Sequence, residues 1–197
     1  MSRAGGSLVV ICGSMYAGKS EELIRRARRA LYARKRVHVF KPRIDSRYDE
    51  SMVVTHMGVR HEAIAVPGVD ELAQAIPKDA DVVCIEEVQF FDQRIIDLCV
   101  SLADRGVEVI CAGLDQDFGR RPFGPMPGLL CAADEVVKLR AICMKCGRPA
   151  SHTYRQIDGG PAHINDPIIL IGAVESYEAR CRGCFQILRG KKRSGVR

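Results

Sequence analysis

No apolar run in the 197 residues approaches the length of a membrane span, so a helical membrane anchor is not expected. The opening stretch Ser2-Arg3-Ala4-Gly5-Gly6 is short and polar, unlike a signal peptide, and a cytoplasmic location is the expectation. A body-wide charge excess is also missing. The net charge is +6, but Arg189, Lys191, Lys192, Arg193 and Arg197 place five positive charges and no acid in the tail, leaving the body at +1. A near-neutral body gives little reason to expect a nucleic-acid or membrane partner, and a solvated, frayed tail (189–197) is the simpler reading. A disulfide framework is disfavoured as well, because the nine cysteines are an odd number in a chain with no secretory signature. Composition excludes global disorder, with 47% hydrophobic and 27% charged residues.

What is present begins with Gly13-Ser14-Met15-Tyr16-Ala17-Gly18-Lys19-Ser20, of the form G-x-x-x-x-G-K-[ST]. The apolar run Leu8 to Cys12 precedes it and reads as a buried strand. Glu21-Glu22-Leu23-Ile24 follows and reads as a helix start. A glycine-rich turn could match by chance, but strand–loop–helix is the context a phosphate-binding loop needs. Gly13 and Gly18 let backbone N–H groups converge on one point, and the helix N-terminus adds its positive dipole end. Lys19 is placed to reach the β- and γ-phosphates and Ser20 to offer a hydroxyl to Mg²⁺.

The helix after Lys19 has apolar positions Leu23, Ile24, Ala27 and Leu31, with Arg25, Arg26, Arg28 and Arg29 on a solvated face. Strands are expected at Val37–Phe40, Asp81–Ile85, Val107–Cys111 and Glu135–Leu139. Helices are expected at Asp70–Ile76 and over Ile95, Ile96, Cys99, Leu102 and Ala103. The segments 41–62 and 113–128 read as irregular. Strands alternating with helices predict an α/β fold with a mostly parallel sheet, ligands binding at the carboxyl ends of its strands. Gly13, Glu86 and Asp115 all fall there. Beyond Ala141 the pattern changes, which puts a domain boundary near residue 140. The expected parts are 1–140, a second module at 141–188 and the tail 189–197.

Glu86 and Glu87 end an apolar strand downstream of the glycine loop. Two acids can merely cap a strand, but in this setting one suits Mg²⁺ and the other suits accepting a proton from an acceptor hydroxyl or orienting a water. The pattern leaves their division of labour open. Strand alternation sets the two side chains on opposite sides.

Cys12, Cys84, Cys99, Cys111 and Cys131 stand singly in apolar surroundings and read as small buried hydrophobes. Cys143-x-x-Cys146 and Cys181-x-x-Cys184 form two pairs separated by 34 residues. A redox pair is one reading of C-x-x-C. Its duplication favours two knuckles on one structural zinc, with no open coordination position and hence no catalysis. Lys145, Gly147, Arg182 and Gly183 suit the tight turns, and the nearby positive charge favours thiolates. Between the knuckles, Ser151–Ile157, Asp158-Gly159-Gly160-Pro161 and Ile168–Gly172 read as a β-ribbon with a long loop.

Taken together, these motifs resemble the type II, zinc-containing thymidine kinases, from Leu8 to Cys184. The glycine loop with Met15 at its third position is similar to the family loop. Asp45-Ser46-Arg47-Tyr48 resembles its D-[ST]-R-Y, Glu86-Glu87-Val88-Gln89-Phe90-Phe91 its D-E-x-Q-F-F, and Gly113-Leu114-Asp115-Gln116-Asp117-Phe118 its G-L-D-x-x-F. Arg121-Pro122-Phe123-Gly124 resembles its [KR]-P-F-G, and Ile171-Gly172-Ala173 with Tyr177 resembles its base-holding segment. The resemblance implies a P-loop (RecA-like) core with a zinc-ribbon module carrying a lasso loop. It implies transfer of the ATP γ-phosphoryl to the 5′-hydroxyl of thymidine or deoxyuridine. Glu87 would be the general base, with Lys19 and Arg47 at the transferring phosphates. Residues 13–20, Asp45, Glu86 and Gln89 would lie on the ATP–Mg²⁺ side. Met15, Phe90, Leu114, Phe118, Leu170, Ile171, Gly172 and Tyr177 would form the nucleoside pocket. A homotetramer and feedback inhibition by thymidine triphosphate are also implied. Glu86 departs from the family's Asp by one methylene, a reach of about 1.5 Å. Two other readings are a P-loop ATPase whose zinc ribbon grips nucleic acid and a non-catalytic nucleotide sensor. The near-neutral body and the lack of aromatic–basic interleaving argue against the first, and the presence of both acids against the second.

Overall fold

The computed structural model describes residues 5–43, 52–54, 60–168 and 175–190. β1 (Ser7–Cys12) runs through the glycine loop into α1 (Lys19–Tyr32) and β2 (Val37–Pro42). An antiparallel pair, β3 (Met52–Val54) and β4 (Arg60–Glu62), precedes β5 (Ile64–Val66) and α2 (Val69–Ala75). Then come β6 (Val82–Ile85), a 3₁₀ turn at Val88–Phe90, α3 (Arg94–Asp104), β7 (Glu108–Gly113), α4 (Met126–Ala132) and β8 (Glu135–Lys138). Six of these strands form one sheet in the order β5-β2-β6-β7-β1-β8, and every pairing within it is parallel.

Strand alternation divides the core into two layers. Leu8, Val10, Cys12, Val83, Ile85, Val109 and Cys111 face α2, α3 and α4. Val9, Ile11, Val82, Cys84, Ile110 and Ala112 face α1 through Leu23, Ile24 and Ala27. Buried on both faces, these strands read as continuous apolar runs, as parallel strands do. The parallel register aligns Cys12 with Gly113 and with Lys138, so the loops after β1, β6, β7 and β8 open on one edge.

Several details differ from the sequence reading. The buried stripe of α1 ends on Ala30, and Leu31 is 47% exposed, because the small side chain takes the position that closes on the sheet. Cys131 is exposed near the end of α4, unlike the four buried singletons. The segment 113–128 is not wholly irregular: α4 starts within it, Pro127 sitting where its fixed φ and missing N–H suit a first helical turn. Segment 41–62 contributes β3 and β4, and β5 just beyond it joins the sheet edge.

After the sheet, β9 (Ala141–Ile142) pairs with β10 (Pro149–Ala150), and β11 (His152–Ile157) is flanked by β12 (Gly160–Pro161) and β13 (Glu175–Arg180). The long partner of β11 is β13. Of the segment Ile168–Gly172, only Ile168 lies among the described residues. The small core here comprises Ala141, Cys143, Ala150, Ala179 and Cys181, and Ala17 from the glycine loop packs against it.

Candidate active site

The glycine loop is shaped by residues that tolerate positive φ. Gly13 has φ 146, and a Cβ there would lie 2.5 Å from the Leu139 carbonyl oxygen, so only glycine fits. Tyr16 (φ 64) and Gly18 (φ 84) complete the curl, Gly18 being the N-cap of α1. Lys19 is 9% exposed and its ammonium donates to the Ser14 carbonyl at 3.0 Å. The Ser14 hydroxyl is buried without a hydrogen-bond partner.

β6 ends at Ile85, and both acids sit in the bend that follows. Their divergence therefore comes from the turn rather than from strand pleating: Glu87 has φ 50, a left-handed conformation that costs a non-glycine residue about 1 kcal/mol or more. Glu86 is 4% exposed. Ser20 donates its hydroxyl to Glu86 Oε1, so the longer acid reaches the loop directly, and Glu86 Oε2 is buried without a partner. Burial, and then the neighbouring Glu87, push the Glu86 carboxyl up to about 8. A buried carboxylate with one oxygen unfilled, beside a serine hydroxyl at a helix start, is a donor set that fits a hard divalent cation.

Gln89 is 2% exposed and lies beneath Glu87. Its amide nitrogen donates to Glu87 Oε2 and its amide oxygen accepts from the Leu114 N–H at 3.1 Å. Gln89 thereby ties the end of β7 to the Glu87 carboxylate. Gly124 (φ 48) completes the floor, since a Cβ there would lie 2.2 Å from the Gln89 carbonyl oxygen. Phe90 packs edge-on against Phe123 at 5.3 Å between ring centroids.

The ribbon reaches the same edge. Thr153 Oγ1 accepts from the Met15 N–H at 3.0 Å, and the buried Arg155 guanidinium lies 4.9 Å from the Phe118 ring centroid and 5.8 Å from that of Tyr177. Sequence reasoning had singled out Met15, Phe118 and Tyr177 but neither Thr153 nor Arg155. Their contacts join residues far apart in sequence and leave no periodic signal. Asp115 accepts a 2.8 Å ion pair from Lys138, which the sequence also did not signal. Asp45, Arg47, Leu170, Ile171 and Gly172 lie outside the described residues.

The four sulfurs of Cys143, Cys146, Cys181 and Cys184 lie within 4.8 Å of one another, with Cys146 and Cys181 at 3.6 Å. Both knuckles are built by backbone: Gly147 N–H donates to the Cys143 carbonyl at 2.8 Å and Cys184 N–H to that of Cys181 at 3.0 Å. Arg148 donates to Cys146 Sγ at 3.4 Å and holds that thiol down at about 6, whereas its sulfur neighbours push Cys184 up to about 12. Bonds of about 2.3 Å from a tetrahedral zinc to sulfur imply sulfur separations close to these, so the cluster can hold one zinc with all four positions filled.

Fold and site together define an α/β protein with a glycine loop of the P-loop form and a four-cysteine ribbon against that loop. A family model described as thymidine kinase matches residues 6–185, and the chain belongs to the thymidine kinase family.

Proposed function

We propose that the chain is an ATP-dependent thymidine kinase, moving the γ-phosphoryl group of ATP to the 5′-hydroxyl of thymidine or deoxyuridine. The observation that carries this reading is the pair of divergent acids: Glu86 facing Ser20 at the end of the glycine loop, and the adjacent Glu87 held by Gln89. In this reading residues 13–20 bind the triphosphate through backbone N–H groups. Lys19 leaves the Ser14 carbonyl for the phosphoryl oxygens. Ser20 and Glu86 would hold a Mg²⁺, which when bound neutralises phosphate charge. Glu87 accepts the proton of the 5′-hydroxyl as that oxygen attacks the γ-phosphorus in line, and the bond from the γ-phosphorus to the β,γ-bridging oxygen breaks to release ADP. Its strained backbone and Gln89 contact keep the carboxylate aimed, and phosphoryl transfer depends mostly on such positioning and electrostatics.

Met15, Phe90, Leu114, Phe118 and Tyr177 are assigned to the nucleoside pocket. Asp45 and Arg47 are assigned to the phosphate side, and backbone groups of Leu170 to Gly172 to the base edge. A fixed N–H and C=O pair suits one pyrimidine edge and leaves cytosine mismatched. The proposal extends to one structural zinc, division of the chain near residue 140, a cytoplasmic homotetramer and thymidine triphosphate as inhibitor in the same pocket. It includes no nucleic-acid partner. Among the described residues no helix is long and apolar enough to cross a membrane.

The test is transfer from labelled ATP to a nucleoside panel, with a no-acceptor control. Label should reach thymidine and deoxyuridine but not deoxycytidine or purine nucleosides. Phosphate release independent of nucleoside would support the ATPase reading instead. Glu87→Gln should lower turnover by about 10²- to 10⁴-fold, the range for a lost general base, while ATP binding persists. Unchanged turnover would remove Glu87 from that role.

A further inference from the structure

Arg155 is 1% exposed, among the largest fully buried side chains of the described residues. A buried guanidinium is costly unless hydrogen bonds and π-faces replace its water. Here the replacement is specific. Nη1 donates to the Pro167 carbonyl, with the Ile168 carbonyl at 3.5 Å. The same group lies against the rings of Phe118, from the loop after β7, and Tyr177, from β13. Tyr177 is the cross-strand partner of Arg155 in the β11–β13 ladder, so backbone register sets that contact. A third region, the backbone at Pro167 and Ile168, is thus joined to two aromatic residues contributed by different parts of the fold.

We propose that Arg155 is a positioning residue for nucleoside recognition: it fixes the separation of Phe118 and Tyr177 and ties the 167–168 backbone to both. The inference rests on the assignment of those two rings to the nucleoside pocket. Arginine suits the role because a planar guanidinium can meet ring faces while its edge donates to carbonyls, which a lysine ammonium does less well. Among the described residues its contacts run to Phe118, Pro167, Ile168 and Tyr177 rather than to Glu87, Ser20 or Lys19, so the phosphate side should be indifferent to its loss.

The test compares wild type with Arg155→Lys, which keeps the charge, and Arg155→Met, which keeps the bulk. Zinc content and melting temperature identify a variant that has merely failed to fold. In Arg155→Lys the KM for thymidine should rise about tenfold or more, the scale of losing one charge-assisted contact, with the KM for ATP within about twofold. A second readout does not depend on activity: amide hydrogen exchange over 163–168 should accelerate about tenfold in that variant, with Ser7–Cys12 unchanged. Equal rises in both KM values, an unchanged thymidine KM or unchanged exchange would each overturn the proposal. Should wild type phosphorylate no nucleoside, the kinase reading and the specificity role fall together, while the exchange measurement still decides whether Arg155 holds the 167–168 backbone.

Discussion

The sheet region and the four-cysteine region meet at the glycine loop, yet they are held together by different physics. The sheet buries large aliphatic side chains on both faces, each contributing about 1.5–3 kcal/mol when fully removed from water. The small cluster near the cysteines consists of Ala141, Cys143, Ala150, Ala179 and Cys181, side chains too small to contribute much apolar area. Its order depends instead on the β11–β13 ladder, on four thiols brought to one point and on contact with the loop through Ala17 and Thr153. One region rests on its packing, whereas the other has little packing of its own and offers four thiols that can hold a metal.

Removing a ligand cysteine is the sharpest way to break that comparison. Cys181→Ala leaves three sulfurs and should reduce bound zinc to well below one per chain. Structural zinc sites contribute about 10–16 kcal/mol of apparent binding free energy, far more than this small cluster can replace. The ribbon should unfold and nucleoside phosphorylation should disappear, while circular dichroism still reports the parallel sheet. Zinc analysis with thermal melting checks this. A variant that keeps full zinc and melts as wild type would show that the ribbon does not rest on the metal.

A smaller change asks whether the two regions communicate. In Thr153→Val the shape is nearly kept but the acceptor for the Met15 N–H is lost. An unmade buried hydrogen bond costs about 1–3 kcal/mol, so ATP affinity should fall about fivefold or more, and Thr153→Ser should restore it. Titration with ATP at fixed Mg²⁺, with zinc content verified, measures the effect. Equal affinity in the valine variant would mean that the loop keeps its shape without the ribbon.

How much was legible in the sequence follows the same division. The sheet and the glycine loop could be read because apolar runs alternating with helix-period segments, and Gly-x-x-x-x-Gly-Lys-Ser, each encode a local geometry. The four cysteines could be read because metal ligands need fixed spacing. The left-handed bend at Glu87 could not, since its cause is the tertiary placement of Gln89 between Glu87 and Leu114. Arg155 was hidden for a similar reason. His152, Thr153, Tyr154 and Arg155 are all buried, both faces of β11 being covered, so no alternation marks which side faces the site. Leu31 misled because Ala30 and Leu31 both continue the stripe, and only packing against the sheet selects one of them.

The smallest effect is expected on the arginine-rich face of α1. Glu22 accepts from Arg25 at 2.6 Å and from Arg26 at 2.8 Å, and Arg26 reaches Glu135 of β8 at 2.7 Å. Hydrogen bonds from Arg25 and then Arg26 hold the Glu22 carboxyl down at about 2. A folded value below the unfolded one stabilises the protein above the ordinary glutamate range, and that stabilisation fades as pH falls from about 4.5 toward 2. Arg25 is half exposed, so solvent screening keeps the contribution of the network small. Glu22→Gln should therefore leave the melting temperature at pH 7 lower by at most a few degrees and flatten its decline between pH 4.5 and 2. In about 1 M salt the two proteins should converge. A large loss at neutral pH would mean that the sheet region, like the ribbon, depends on a polar cluster rather than on its packing. A small one would also fit the solvated-face reading of this helix, on which Arg25 and Arg26 are already paired with Glu22 and Glu135.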